Sequence, residues 1–176
     1  MRLAGDPLPD GAEMVRVDHA GEYGATRIYA GQLAVMGGRA AISAEVEHMA
    51  AQEDVHLAAF ERLLHERRVR PTLLLPFWKH AGFALGAASA LAGPKVAMAV
   101  TAAVETEIDR HYQAQLDALQ DDDAELSDLI ARFQAEEVEH RESAIEHGAE
   151  QAPAWPLLSL LVRAGCRAAI RLSEKL

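Results

Sequence analysis

The chain has 176 residues, 17 Lys and Arg against 27 Asp and Glu for a formal net charge of -10, and one cysteine. That length suits one domain over residues 1–176 with ample core, and the acidic balance excludes a nucleic-acid binder, which needs a basic stripe. Cys166 alone excludes an intrachain disulfide and fits a reducing compartment.

Ala, Leu, Glu and Arg dominate, aromatics make up 5% of the chain and period-2 runs of β-branched residues are absent, so an all-α fold is expected. No signal peptide or Arg/Ser-rich transit segment stands before the first helical pattern, so the protein is expected to be made where it works or supplied in mature form. Residues 1–9, with Pro7 and Pro9, read as an extended lead-in.

Asp10 is placed to cap a helix running to about Met36, with Val15, Ala25, Ile28, Leu33 and Met36 facing inward. Inside it, Arg16-Val17-Asp18-His19-Ala20-Gly21-Glu22-Tyr23-Gly24-Ala25 is dense in polar groups where a plain bundle helix is apolar. Asp18 and His19 share a face with Glu22. Gly21 and Gly24 each cost about 1 kcal/mol relative to Ala in a helix, so close packing or substrate approach is expected at both. A second helix, about Ala40 to Arg67, ends in the basic cluster Arg62, His65, Arg67, Arg68 and Arg70. That cluster complements the helix dipole and could equally meet anionic lipid headgroups.

The segment Pro71 to Pro94 differs from the rest. No charge lies between Ala81 and Pro94, and 14 residues of helix span only about 21 Å, short of the roughly 30 Å hydrocarbon core. The segment is therefore expected to lie on a membrane rather than cross it, with Phe77, Trp78 and Lys79 at the interface. A helix crossing over the bundle would use the same residues, and both roles fit if one face covers the bundle and the other meets lipid.

A further helix is expected from near Lys95 to Leu119, carrying Glu105 with Tyr112 two turns along nearly the same face and His111 rotated away. The next, about Ala124 to His147, carries Glu136, Glu137, Glu139 and His140. A last amphipathic helix, Leu157 to Glu174, with Leu158, Leu161, Ile170 and Leu172 on its apolar face, is expected to serve packing or oligomerisation.

One unit occurs twice across these helices. Glu22 is followed by Glu53-Asp54-Val55-His56, and Glu105 by Glu137-Val138-Glu139-His140. Residues three apart lie on one helix face, so each Glu-x-x-His aims a carboxylate and an imidazole at one point. Antiparallel helices that hold ligands at one height must turn midway between them. The midpoints are Gly37-Gly38 and Asp121, both turn signals, whereas the decoy Glu45-Val46-Glu47-His48 paired with Glu22 has its midpoint near Leu33 in an apolar stretch. Four Glu and two His in this order are the ligand set of a ferritin-like four-helix bundle holding two metal ions, here with an added apolar crossover helix and a C-terminal helix. The set suits iron or manganese, six ligands are too many for a closed zinc site, and four carboxylates balance two divalent ions. Glu136 and Glu139, out of step with His140, are expected to be solvated or to sit behind the ligands.

Together with His80-Ala81-Gly82-Phe83-Ala84-Leu85-Gly86-Ala87, Val104-Glu105 through His111-Tyr112, and Ala164-Gly165-Cys166-Arg167-Ala168-Ala169-Ile170-Arg171-Leu172-Ser173-Glu174, these stretches resemble the demethoxyubiquinone hydroxylase family over nearly the whole chain. The resemblance implies a di-iron monooxygenase that hydroxylates the benzoquinone ring of a polyprenylated demethoxyubiquinone. It implies iron on Glu22, Glu53, His56, Glu105, Glu137 and His140, with Glu53 and Glu137, or Glu22 and Glu105, among the bridging groups. It also implies that His111 and Tyr112 lie near substrate and electron transfer. NADH is the implied reductant, although no G-x-G-x-x-G follows a strand. A homo-oligomer, a lipid-presenting partner protein and peripheral attachment through about residues 71–94 are expected. The attachment is expected on the cytoplasmic face of a bacterial inner membrane, or on the matrix face of a mitochondrion. A ferritin-like iron store or peroxidase, and a metal-free helical membrane adaptor, are the competing expectations.

Overall fold

The computed structural model describes residues 11–120 and 122–176, and among these there is no strand. The Asp10 cap, the lead-in and Asp121 lie outside the described residues. Six helices follow in order: α1 (Gly11–Met36), α2 (Ser43–Glu66), α3 (Leu75–Leu91), α4 (Pro94–Leu119), α5 (Ala124–Glu146) and α6 (Trp155–Lys175). Helices α1 with α2 and α4 with α5 form two hairpins of a ferritin-like bundle, α3 crosses over against α1, and α6 lies on α4 and α1.

The connections follow from local chemistry. Gly37 takes a φ of 51°, in the region where a side chain is strained, and ends α1; the Ser43 hydroxyl then donates to the Gly37 carbonyl at 2.6 Å and starts α2. Because residues 37–39 form one short turn of their own, α2 begins three residues later than the expected Ala40. Between α3 and α4, Gly93 at φ 117° reverses the chain and Pro94 opens the next helix, where its missing N–H has no partner to lose. Asp123 caps α5 by accepting from the Leu126 amide at 3.1 Å, and Arg67 at the end of α2 pairs with the same carboxylate. Arg62 pairs with Glu66 and Glu125, and Arg70 donates to the Leu176 carbonyl at 2.9 Å, so three of the basic residues at the end of α2 are used within the chain.

Apolar packing closes both ends of the bundle. One cluster gathers Tyr29, Met36, Val46, Met49 and Met98, and the other gathers Val15, Phe60, Leu63, Leu126, Ile130 and Phe133. Each large side chain so buried contributes about 1.5–3 kcal/mol, which offsets the cost of the polar band between the clusters.

Helix α3 touches the backbone of α1 directly. A Cβ on Gly86 would overlap the Ile28 carbonyl, and one on Gly31 would overlap the Phe83 carbonyl. The expectation of close packing at Gly21 and Gly24 is corrected: a Cβ at either meets open space, and only the Gly24 carbonyl is approached, by Gly82. The tight residues are Gly31, Gly82 and Gly86. Only Gly86, Ser89 and Ala90 of α3 are buried, while Phe77 is 60% exposed.

The apolar face expected for α6 is also partly corrected. Val162 packs with Val100 and Val104, with Leu158 and Cys166 beside it, but Leu161 is 62% exposed and Leu172 is exposed too. The rotation of α6 is fixed at its far end by Trp78, whose indole N–H donates to the Ser173 hydroxyl at 3.0 Å.

Candidate metal centre

The six side chains singled out by the repeated unit converge from four helices: Glu22 from α1, Glu53 and His56 from α2, Glu105 from α4, Glu137 and His140 from α5, all buried. They form two groups whose donor atoms lie within 4.8 Å of one another, Glu22, Glu53, His56 and Glu137 in one, Glu53, Glu105, Glu137 and His140 in the other. Glu53 and Glu137 belong to both, so one carboxylate from each hairpin spans the two positions. The decoy is well apart in character, with Glu47 and His48 exposed and Glu45 taken by the Ser143 hydroxyl at 2.5 Å.

The donors face inward without satisfying one another. His56 turns Nδ1 toward Glu137 at 3.0 Å and Glu22 at 3.4 Å, and His140 turns Nδ1 toward Glu53 at 3.2 Å and Glu137 at 3.3 Å. Yet both Nδ1 atoms, both oxygens of Glu53 and of Glu137, and one oxygen each of Glu22 and Glu105 lack a directed hydrogen bond. Leaving a buried polar atom unsatisfied costs about 1–3 kcal/mol, and here several meet in one volume. Burial first, then the charges of Glu137 and Glu22, hold Glu53 well above the ordinary carboxylate range, and burial with Glu137 does the same to Glu105. Burial works against a charged His56, but Glu137 and Glu22 outweigh it and lift the imidazole to about 11. Burial likewise opposes ionised Glu137, whose contacts with His140 and His56 bring it down to about 2. Two imidazoles cannot balance four carboxylates, and divalent cations at the two donor groups would give these inward-facing atoms partners, so the donor set fits a pair of hard or borderline metal ions.

The surroundings repeat with an approximate two-fold relation that sequence reasoning caught only in part. Tyr112, seven residues beyond Glu105 on α4, donates its hydroxyl to Glu22 on α1. Tyr29, seven beyond Glu22 on α1, donates to Glu105 on α4 at 2.9 Å. Ten residues beyond each of those glutamates is a buried glutamine that reaches back across the bundle: Gln115 Nε2 donates to Asp18 at 2.8 Å, and Gln32 Nε2 to the Thr101 hydroxyl at 3.2 Å. The residue before each shared glutamate backs the opposite histidine. Glu136 accepts from His56 Nε2 at 2.8 Å and Gln52 Oε1 from His140 Nε2 at 3.1 Å. Tyr29, Gln32, Gln52 and Gln115 were not singled out from the sequence, although Tyr29 stands at the offset that drew attention to Tyr112. Glu136 is the carboxylate behind His56, and Glu139 is exposed.

The relation is broken at His111. His111 lies outside both donor groups and pairs with Asp18 at 3.2 Å, while the corresponding position on α1 is Ile28. Burial disfavours a charged His111, and Asp18 overrides it and raises the imidazole; burial in turn raises the Asp18 carboxyl. His111 and Gln115 also line a cleft of about 320 Å³ with Glu13, Met14 and Val17. His19 is buried one turn before Glu22, and burial keeps its imidazole below the ordinary value.

The chain is 53% identical over 176 residues to a protein of Rhodospirillum rubrum named 3-demethoxyubiquinol 3-hydroxylase, covering 99% of this chain and 83% of that one. The rat protein named NADPH-dependent 3-demethoxyubiquinone 3-hydroxylase, mitochondrial, is 52% identical over 167 residues, 93% of this chain and 76% of its own length. The human protein of the same name is 50% identical over 167 residues, with the same shares. A family model described as "Ubiquinone biosynthesis protein COQ7" matches residues 10–173, and the chain belongs to that family.

Proposed function

We propose that this chain is an oxygen-dependent hydroxylase acting on the benzoquinone ring of a polyprenylated demethoxyubiquinone, with residues 1–176 working as one domain. The reading rests on one observation above all: two donor groups that share Glu53 and Glu137 at the buried centre of the bundle. Glu22 and His56 would complete one position and Glu105 and His140 the other, each suited to an iron ion, with Glu53 and Glu137 belonging to both. Two ferrous ions bound there would supply the electron pair that reduces dioxygen and the oxidising power to place one oxygen on the ring.

The protein's own residues do the rest. Tyr112 and Tyr29 fix the carboxylates of Glu22 and Glu105 by donating to them, so each keeps one oxygen free to face inward. The apolar clusters above and below the band exclude water. His111, held by Asp18 at the wall of the cleft, and Tyr112 beside Glu22 join the outside to the centre, and the substrate ring and electron transfer are assigned to this side. The electron donor is a reduced nicotinamide, NADH by family resemblance and NADPH by the names of the mammalian relatives.

A polyprenyl substrate lives in a membrane, and no described helix is long and apolar enough to cross one. Attachment is assigned to residues 71–94, where Phe77, Phe83 and Leu91 point away from the bundle, extended by Leu157, Leu160 and Leu161 of α6. Among residues 71–94 and 155–176, Lys79, Arg171 and Lys175 are exposed cations against one anion, Glu174, in a chain of net charge -10, while Arg163 and Arg167 are turned onto the buried Glu107. Such a face suits the anionic surface of a cytoplasmic or matrix leaflet. The leucines of α6 would also serve a homo-oligomer or a lipid-presenting partner. The test is to load the chain with iron without air, add reduced nicotinamide, a short-tailed demethoxyubiquinone and labelled dioxygen, and look for quinone bearing one labelled oxygen. Iron uptake and oxidation with no hydroxylated product would assign the chain to iron storage or peroxidase chemistry instead.

A further inference from the structure

The two donor groups are matched in geometry, and the groups behind their histidines differ. His56 turns Nε2 outward to a carboxylate, Glu136 at 2.8 Å, whereas His140 turns Nε2 outward to an amide, Gln52 at 3.1 Å. Glu136 immediately precedes the shared Glu137 on α5, and Gln52 immediately precedes the shared Glu53 on α2. The two backing residues therefore occupy the same place in the approximate two-fold arrangement. The tyrosines on the lone glutamates are alike on both sides, and so are the shared carboxylates. Directly behind the two histidines, the Glu-for-Gln difference is what distinguishes the halves.

From this we infer that Glu136 and Gln52 are positioning residues that make the two metal positions unequal, with the His56 position the tighter. The inference rests on the two-metal reading given above. An imidazole whose outer N–H donates to a carboxylate is fixed in one tautomer and is a more basic, more electron-rich ligand through its other nitrogen. An amide oxygen fixes the tautomer in the same way but adds no charge. Glu136 also places a negative charge behind His56, where the group behind His140 is a neutral amide. The first metal ion should enter at His56, and the ion held there should be the one that better tolerates the higher oxidation state.

The test uses the whole chain without air, titrated with Co(II) alone and followed by calorimetry and by proton NMR. Paramagnetic cobalt shifts the ring N–H of each histidine it binds far outside the normal spectrum, so each position reports separately. Wild type should bind two equivalents of unequal affinity, with one shifted N–H appearing before the other. Glu136→Gln should weaken the first equivalent by about 10- to 100-fold, the effect typical of losing a group behind a ligand, and move the first N–H signal while leaving the second in place. Gln52→Glu should tighten the second equivalent and bring the two signals up together. Both changes are isosteric and both sites are partly exposed, Glu136 by 30%, so the folded state survives them; the combined swap should restore unequal binding with the order of the two signals reversed. Two equal equivalents in wild type, or an unmoved titration in both single variants, would overturn the inference and leave the two-metal reading intact. No bound metal in wild type would overturn both.

Discussion

Tyr29 and Tyr112 each serve the other's helix: Tyr29 of α1 donates to Glu105 of α4 at 2.9 Å, and Tyr112 of α4 donates to Glu22 of α1. Burial, together with the charge of the glutamate each one faces, holds both phenols well above their ordinary value, so they remain donors throughout the physiological range. Replacing either by Phe removes a hydrogen bond to a buried charged group, a loss of about 1.5–3 kcal/mol. For a chain of this size that lowers the melting temperature by roughly 3–12 °C. Tyr29→Phe and Tyr112→Phe should fall by similar amounts in thermal melts of metal-loaded protein. A Tyr29→Phe variant as stable as wild type would show that the cross-helix pairing has no energetic weight.

Contact between α1 and α3 depends on the absence of a side chain at Gly86. An added methyl would overlap the Ile28 carbonyl, and backbone cannot give way as a flexible side chain can. Gly86→Ala should cost about 1–3 kcal/mol or more by overpacking. Gly21→Ala, where a Cβ meets open space inside a helix, should instead gain about 0.5–1 kcal/mol. Chemical denaturation of the two variants separates these opposite signs.

Without metal, the centre should make stability fall as pH rises. Glu53 and Glu105 are raised in the fold, so the folded chain holds protons that the unfolded chain releases above the ordinary value of 4.5. His56 is also raised, so its contribution is complete below 6.5 and is lost as pH climbs toward about 11. Glu137 is lowered, and its contribution is lost only as pH falls from 4.5 toward about 2. The metal-free chain should therefore be most stable in mild acid and decline steadily from about pH 5 to pH 9. Bound divalent metal takes over the role of those protons, so the loaded chain should be flat or rising over the same interval. Parallel melts with and without chelator would show it, and a metal-free melting temperature that rises toward pH 9 would contradict it.

Binding to lipid vesicles should follow the outward faces of α3 and α6. Each exposed large apolar side chain that enters the interface contributes about 1.5–3 kcal/mol, roughly ten- to hundredfold in partitioning. Phe77→Ser and Leu161→Ser should each weaken sedimentation with anionic vesicles by at least about tenfold. Val55→Ser, exposed on α2 away from that face, should not alter it.

The sequence carried the bundle because its helices are long, their polar insertions are periodic, and a repeated Glu and Glu-x-x-His unit fixes where the hairpins must turn. The turn at Gly37 stands where that reasoning places it, and Asp123, two residues past the second midpoint, caps α5. It read α6 less well. An amphipathic pattern shows that a stripe exists, but the Trp78 to Ser173 bond and the packing of Val162 decide which residues it contains, leaving Leu161 and Leu172 outside. The glycines misled for a similar reason. A helical Gly signals either close approach or open space, and only the neighbour, Phe83 or Ile28 here, tells them apart. Gln52 and Glu136 could not be ranked from the chain alone, since one polar residue beside a ligand looks like any other until the facing helix is in place.

The central claim is that Glu22, Glu53, His56, Glu105, Glu137 and His140 hold two iron ions through the shared Glu53 and Glu137. The most direct measurement is iron per chain in anaerobically purified protein, wild type against Glu137→Gln, with circular dichroism to establish that the variant is folded. Close to two irons in wild type, and a loss from both positions in the variant, is the predicted result, because Glu137 belongs to both donor groups. No iron in folded wild type, or an undiminished pair in folded Glu137→Gln, would contradict it.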